Sequence, residues 1–308
     1  MSNTIDIDHL RNWIGQRDSD SDAITPELVK RFSATLSGHT QIATDTGSPI
    51  PLGIHWCLAL PAVTRDKLGA DGHPAKGEFL PPVPLPRRMW ASSRILFHKG
   101  PSVGARIEKS STIADVVLKQ SAASGPLVFV HIDHKYVQGA ETLIQDRQTI
   151  VYRQPSTFRQ GEVQPSKMQS LNAVRSLRVT PDSTLLFRYS ALTFNGHRIH
   201  YDHNYTTAEE GYPALVVHGP LTATLLMNLA QATRPEYPLR AFEFRAVAPA
   251  FVDQVLQLSV NASETDQDAS GTVDTGIHLD ARDHRGELVM TANAQFGEHF
   301  SRQQKQAY

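Results

Sequence analysis

The chain has 308 residues, enough for one large domain or two of ordinary size. Its formal net charge of −1 argues against a nucleic-acid role, which leaves a basic footprint, and no run approaches the roughly 20 apolar residues of a membrane helix. The single cysteine, Cys57, cannot close an internal disulfide, and the start has neither a basic nor an apolar leader region, so a cytoplasmic protein is expected.

The first predicted element is a helix with Thr25 as N-cap and Pro26 at its first position, continuing through Arg31-Phe32-Ser33-Ala34. Residues 81–86, Pro-Pro-Val-Pro-Leu-Pro, form a stiff segment. It can cap a sheet or wall a cleft, presenting Arg87, Arg88 and Trp90. Strands are predicted over 94–97, 106–117, 127–134 and 141–152, which are rich in β-branched and aromatic residues and punctuated by Gly104, Gly125 and Gly139. Residues 154–170 are polar, carry Pro155, Gly161 and Pro165, and read as a linker.

The second half repeats the first. Thr180-Pro181 and Arg188-Tyr189-Ser190-Ala191 match the helix above. Phe244 with Pro249, Ser270-Gly271 and Gly286 then follow in the order of Phe97 with Pro101, Ser124-Gly125 and Gly139. A helix is predicted over 220–232, with Leu221, Leu225, Leu226 and Leu229 as its buried stripe. Strands are predicted over 240–247, 255–260, 272–281 and 288–296, with turns at 266–271 and 283–286. Consecutive strands joined by short polar turns imply an antiparallel sheet. The expected fold is α+β, a double hot dog in which each unit wraps a curved sheet around a long helix. Residues 1–153 and 171–308 are the two units.

Only the second copy is loaded with polar chemistry. Asn195-Gly196 ends the helical pattern, and His197, His200, Asp202 and His203 follow within a few positions. His218-Gly219-Pro220 then opens the next helix, whose first N–H groups can receive negative charge. A proton-transfer group beside a helix N-terminus can polarise a carbonyl and move protons next to it. The N-terminal unit is then a degenerate copy that holds the bulk of the substrate.

Residues 195–202, Asn-Gly-His-Arg-Ile-His-Tyr-Asp, with 211–220, Gly-Tyr-Pro-Ala-Leu-Val-Val-His-Gly-Pro, resemble the MaoC-like acyl-thioester hydratases and dehydratases. The branch they resemble most is that of the type 2 hydroxyacyl-thioester dehydratases and mesaconyl-CoA hydratases. Asp71-Gly72-His73-Pro74 and residues 79–90 look like the partner unit of that branch. The resemblance implies addition or removal of water across the α,β double bond of an acyl thioester. The family pairs an Asp with a His five residues later; here the His is His200, and Asn195 stands at the Asp position. The resemblance therefore implies that His200 exchanges the proton, that Asn195 orients the water, and that Gly219 N–H binds the thioester oxygen. Arg88, Trp90 and Arg198 are the further substrate-binding candidates. No metal, organic cofactor, nucleic acid or membrane is implied; the expected partner is an acyl-CoA, and a homodimer is compatible with it. The favoured acyl group is a short dicarboxylic one of the mesaconyl or itaconyl type, with the Arg87-Arg88 pair as its anchor.

Four other readings compete. A 3-hydroxyacyl-thioester dehydratase of fatty-acid metabolism would use the same site. A hot-dog thioesterase would need a carboxylate, for which Asp202 is the candidate. An acyl-CoA-binding protein would tolerate loss of His200. His197, His200 and His203, spaced by three, would make a zinc site if they lay on a helix rather than in a loop.

Overall fold

The strand-forming runs of both halves pair into one continuous sheet in the computed structural model, which describes residues 5–36, 39–40, 43–121, 125–155, 173–261 and 276–298. The first half supplies β1 Arg17–Ala23, β2 Arg87–Phe97, β3 Arg106–Ser121, β4 Gly125–Gln138 and β5 Glu141–Arg153. The second supplies β6 Ala173–Val179, β7 Leu239–Ala246, β8 Leu256–Asn261, β9 Gly276–Arg282 and β10 Leu288–Phe296. The order is β1-β3-β4-β5-β2-β7-β10-β9-β8-β6, with antiparallel pairing throughout. Read outward from the centre, the two halves follow the same path. They meet where β2 pairs with β7, Ser93 opposite Phe244 and Ile95 opposite Phe242. The near-constant offset between sequence landmarks thus has a geometric cause.

Both outer strands were silent in the sequence. β1 reads Arg-Asp-Ser-Asp-Ser-Asp-Ala, with no apolar alternation. It is a strand because β3 offers it a partner edge, from Arg17 opposite Thr112 to Ala23 opposite Arg106. β6 is held the same way by β8. The predicted turn at 266–271 and nearly all of the predicted linker at 154–170 lie outside the described residues.

Four α-helices accompany the sheet among the described residues. α1 Ile7–Arg11 is short and capped by Asp6. α2 Pro26–Thr35 has the expected cap, Thr25 Oγ1 accepting from Leu28 N–H at 3.1 Å. α3 Ser183–Leu192 packs against α2 but differs at its start. Asp182, not Thr180, is the cap, because its carboxylate reaches Leu185 N–H at 2.7 Å, whereas Pro181 remains ahead of the helix.

α4 Gly219–Thr233 is the central helix of the second unit. The predicted stripe is buried, and so are Ala223, Met227, Ala230, Thr222 and Thr224. A helix apolar on several sides is one that is surrounded. Strands β7–β10 wrap one flank, and the first half covers another, where Asn228 Nδ2 donates to Leu52 carbonyl at 3.1 Å. The first unit does not repeat this arrangement. Among the described residues the buried 3-10 turn Ile54–Cys57 and the short helix α1 lie against its strands, and no long helix fills its concave face. The proline segment is structural in part, since Val83 and Leu85 are buried in a second apolar cluster with Leu10, Val128 and Tyr152. Among the described residues no helix is long and apolar enough to cross a membrane.

Candidate active site

α3 ends in a sharp turn. Phe194 has φ 47°, and Asn195 N–H donates to Ser190 carbonyl at 2.9 Å. Asn195 Oδ1 accepts His197 N–H at 3.0 Å, which fixes the amide. A backbone N–H can only donate, so the carbonyl oxygen is committed to the loop and the NH₂ group is left for the cavity. A single 3-10 turn, Arg198–His200, then buries His200. Its Nδ1 lies 2.7 Å from Val216 carbonyl. Because that oxygen can only accept, Nδ1 carries the proton and Nε2 is the basic nitrogen.

The first half clamps this loop. Arg198 N–H donates to Asp71 carbonyl at 2.9 Å. Gly72 sits at φ 85°, and a Cβ there would lie 2.0 Å from Gly196 carbonyl oxygen, so both the backbone conformation and the contact require glycine. The clamp brings His73 against His197, ring centroids 4.3 Å apart. His197 meets His200 edge-on at 5.5 Å, and His200 stacks on His218 at 3.6 Å with 19° between planes. His218 is the N-cap residue of α4, wholly buried, and its Nε2 bonds Ser190 Oγ at 2.8 Å.

Burial pushes the His200 pKa down to about 4. It also lowers those of His73, His197 and His218; Arg88 adds to the effect at His73 and His197, and the mutual repulsion the rings would feel if protonated adds to it along the row. The row is therefore neutral at neutral pH, as a base must be. In the first half, burial likewise lowers His55 to about 3 and His134 to about 4. Below about pH 6.5 these six histidines take up protons readily only when the chain unfolds, so stability falls as pH falls toward 4. Asp146 acts in the opposite sense, its carboxyl raised to about 6 by burial, but it is one group against six. The melting temperature is expected to drop progressively from pH 6.5 to 5 in differential scanning fluorimetry; a flat or rising profile would contradict this assignment.

A cavity of about 1150 Å³ opens beside the row, lined among others by Asn195, His197, His200, Gly219, Trp90 and Arg88. Gly219 opens α4, so its N–H is a first-turn donor with no intrahelical acceptor. A Cβ on it would meet only Trp90 carbonyl oxygen, at 3.9 Å. Trp90 turns its indole onto Trp56 and Phe244, and its Nε1 donates to Ser92 carbonyl and Ser93 Oγ at 3.0 Å.

The arginines are more committed than their sequence positions suggest. Arg88 grips both oxygens of Asp71, at 3.0 and 3.3 Å, and Pro74 carbonyl at 3.0 Å. Arg87 pairs with Glu210 and donates to Glu209 carbonyl. Arg198 holds Asp202 at 2.7 Å, donates to Ala70 carbonyl and lies over the Tyr205 ring, which braces the loop from outside. Asp202, the carboxylate a thioesterase reading requires, is tied to Arg198 and to Tyr205 N–H. His203 is exposed and does not join His197 and His200. The group with metal-ligand spacing is instead Asp71, His73 and His197, whose ligand atoms lie within 4.8 Å of one another. That set fits a cation poorly, because the Arg88 guanidinium already occupies both Asp71 oxygens. His73 entered the sequence reading only through the resemblance, and Ser190 only as a repeat landmark. Neither was visible as a site residue, since the backbone clamp at Gly72 and the helix end at Ser190 are long-range or packing features.

Residues 53–252 match the sequence model of a family described as hydroxyacyl-thioester dehydratase type 2. The chain is 41% identical over 239 residues to a mesaconyl-C(4)-CoA hydratase of Chloroflexus aurantiacus, covering 78% of this chain and 84% of the relative. A solved MaoC-like dehydratase from Phytophthora capsici superposes with a TM-score of 0.62 at 9% identity, covering 96% of this chain and all of that one. A protein of Mycobacterium tuberculosis described as having a double hot-dog fold superposes with a TM-score of 0.57 at 12% identity, covering 92% of this chain and 96% of that one. The double hot dog is thus the fold of this chain.

Proposed function

Because the chain belongs to the hydroxyacyl-thioester dehydratase type 2 family, and is accordingly an acyl-thioester hydratase or dehydratase, we propose that it hydrates a short dicarboxylic enoyl-CoA of the mesaconyl type with His200 as its acid–base residue. The observation that carries the chemistry is the His200 tautomer: Nδ1–H held by Val216 carbonyl leaves a neutral basic Nε2 in a ring that lines the cavity beside the α4 N-terminus.

In this reading the work divides as follows. Asn195 offers amide N–H to the oxygen of the attacking water. His200 Nε2 takes a proton from that water as oxygen bonds to the β-carbon. The thioester oxygen gains enolate charge and is held by Gly219 N–H. His200 then returns the proton to the α-carbon, so water is added with no net proton exchange. Both residues of the pair are on the second unit, residues 171–308. The first unit, residues 1–153, holds the rest of the substrate.

The identity of the relative favours a carboxylate-bearing acyl group. In this reading Arg88, pinned by Asp71, and His73, whose buried Nδ1 has no hydrogen-bond partner, receive the free carboxylate near the thioester. Trp90 walls the same pocket, and Arg198 is reassigned from substrate binding to bracing the loop. A cytoplasmic location and a homodimer belong to the same proposal; sedimentation velocity measures the second. Hydration of mesaconyl-CoA, itaconyl-CoA and crotonyl-CoA on one preparation tests the substrate. The dicarboxylic esters should be preferred, and Arg88→Lys should cost them roughly tenfold or more while sparing crotonyl-CoA. Crotonyl-CoA preferred by the wild type and unaffected by Arg88→Lys would sink the dicarboxylate reading and leave the hydratase standing.

A further inference from the structure

The same cavity extends over the concave face of the first unit, the face that lacks a long helix. Apolar side chains would be expected there, yet alternation along β3, β4 and β5 turns Lys109, Ser111, His134, Asp146 and Gln148 toward it. Ser111 Oγ bonds His134 Nδ1 at 2.8 Å, and Gln148 Oε1 bonds its Nε2 at 3.0 Å. Asp146 is 2% exposed. Its Oδ2 accepts Trp56 Nε1 at 2.9 Å, and its Oδ1 has no partner. Lys109 supplies an ammonium to this chamber, while Arg65, Lys67, Arg87, Arg88 and Arg153 line other parts of the same cavity. Its ammonium carries three donors, but it makes one long contact, 3.4 Å to Ala59 carbonyl, and lies 5.7 Å from the Tyr136 ring centroid. Desolvation lowers its pKa, as for an ammonium that protein encloses on most sides. Ala59 itself holds φ 47°, uncommon for a residue with a side chain.

The chamber connects to the catalytic end through two tryptophans. Trp56, bonded to Asp146, meets Trp90 at 5.1 Å, and Trp90 carbonyl lies next to Gly219. An acyl chain whose thioester sits at Gly219 can therefore run past both indoles toward Lys109. Asp18 and Asp20 line the cavity as well, but they are exposed and screened by water; the buried Asp146, its carboxyl raised to about 6, is the anion that acts most on Lys109, and the ammonium's unused donors remain to receive a ligand carboxylate.

We propose that this chamber receives the far end of longer acyl groups and that Lys109 binds a terminal carboxylate there, so that the enzyme also accepts enoyl-CoAs whose carboxylate is remote from the thioester. The inference rests on the hydratase reading above but not on the short dicarboxylic substrate. The test is hydration of a matched pair of medium-chain 2-enoyl-CoAs, one ending in a methyl and one in a carboxylate, with crotonyl-CoA as reference. The wild type should prefer the carboxylate-ended member. Lys109→Met should lower its kcat/KM by roughly 10- to 100-fold, the scale of a lost charged hydrogen bond, and leave crotonyl-CoA unchanged, which also reports correct folding. Lys109→Arg should keep the preference, and Asp146→Asn should keep or raise it. Equal rates for the pair in the wild type, or a carboxylate preference that survives in Lys109→Met, would overturn the proposal. Failure of every enoyl-CoA to be hydrated would instead overturn the hydratase reading itself. If Lys109→Met does not fold, the wild-type preference and its retention in Lys109→Arg still decide.

Discussion

His200→Ala is expected to lower the hydration rate by 10² or more, roughly the scale of a lost general base, while thioester binding survives. Val216 carbonyl fixes the ring with Nε2 unprotonated, and in the proposed mechanism its removal takes away both the proton acceptor and the donor to the α-carbon. It also unstacks His218, whose other contacts, to Ser190 and Tyr189, remain to hold it. Stopped-flow or absorbance assays of enoyl-CoA hydration check this, with circular dichroism as the control for folding. A near wild-type rate in a folded variant would remove His200 from the mechanism. Asn195→Asp is the companion: it restores the Asp–His pair implied by family resemblance and keeps an oxygen for His197 N–H. Because Asp contributes no N–H to the water, a rate close to that of the wild type would mean that the amide's donors are not required.

Gly219→Pro is expected to lower kcat/KM by about 10²–10³-fold, equivalent to about 2.7–4 kcal/mol of lost oxyanion stabilisation. Proline deletes the N–H assigned to the thioester oxygen at a place where proline is otherwise welcome. The first turn of a helix tolerates it, and the preceding residue, His218, is already extended at φ −62° and ψ 128°. Helix α4 and the melting temperature should therefore be kept. Gly219→Ala is the control. It retains the N–H, its Cβ has 3.9 Å of clearance, and it should hydrate at close to the wild-type rate. If Gly219→Pro matches Gly219→Ala in activity, the donor is elsewhere.

Both experiments act on one principle of the fold. The second unit has a long helix whose positive N-terminal end lies beside a neutral histidine. Among the described residues the first unit has no such helix, and a hollow lies over its strands. A buried polar surface of this kind weakens a core, so its presence is better understood as serving a ligand than as serving stability.

By itself, the sequence determined the features that are local or periodic. Strand runs, the Thr25-Pro26 start of α2, the leucine stripe of α4 and the repeated landmarks are short-range patterns, and each reports on its own segment. The cluster at 195–200 was legible for the same reason: a loop loaded with imidazoles shows in the chain without any partner. Tertiary structure alone decided the rest. β1 and β6 are strands only because a neighbour offers an edge. Arg88 is ion-paired because Asp71, seventeen residues earlier, folds back to it, and His73 and His218 join the row only through the Gly72 clamp and the turn into α4. Lys109 lies within a predicted strand, and its face becomes a cavity wall because no long helix among the described residues covers it. A residue's type fixes what it can donate or accept, but what it meets depends on chain segments far away in the sequence, and only packing brings those together.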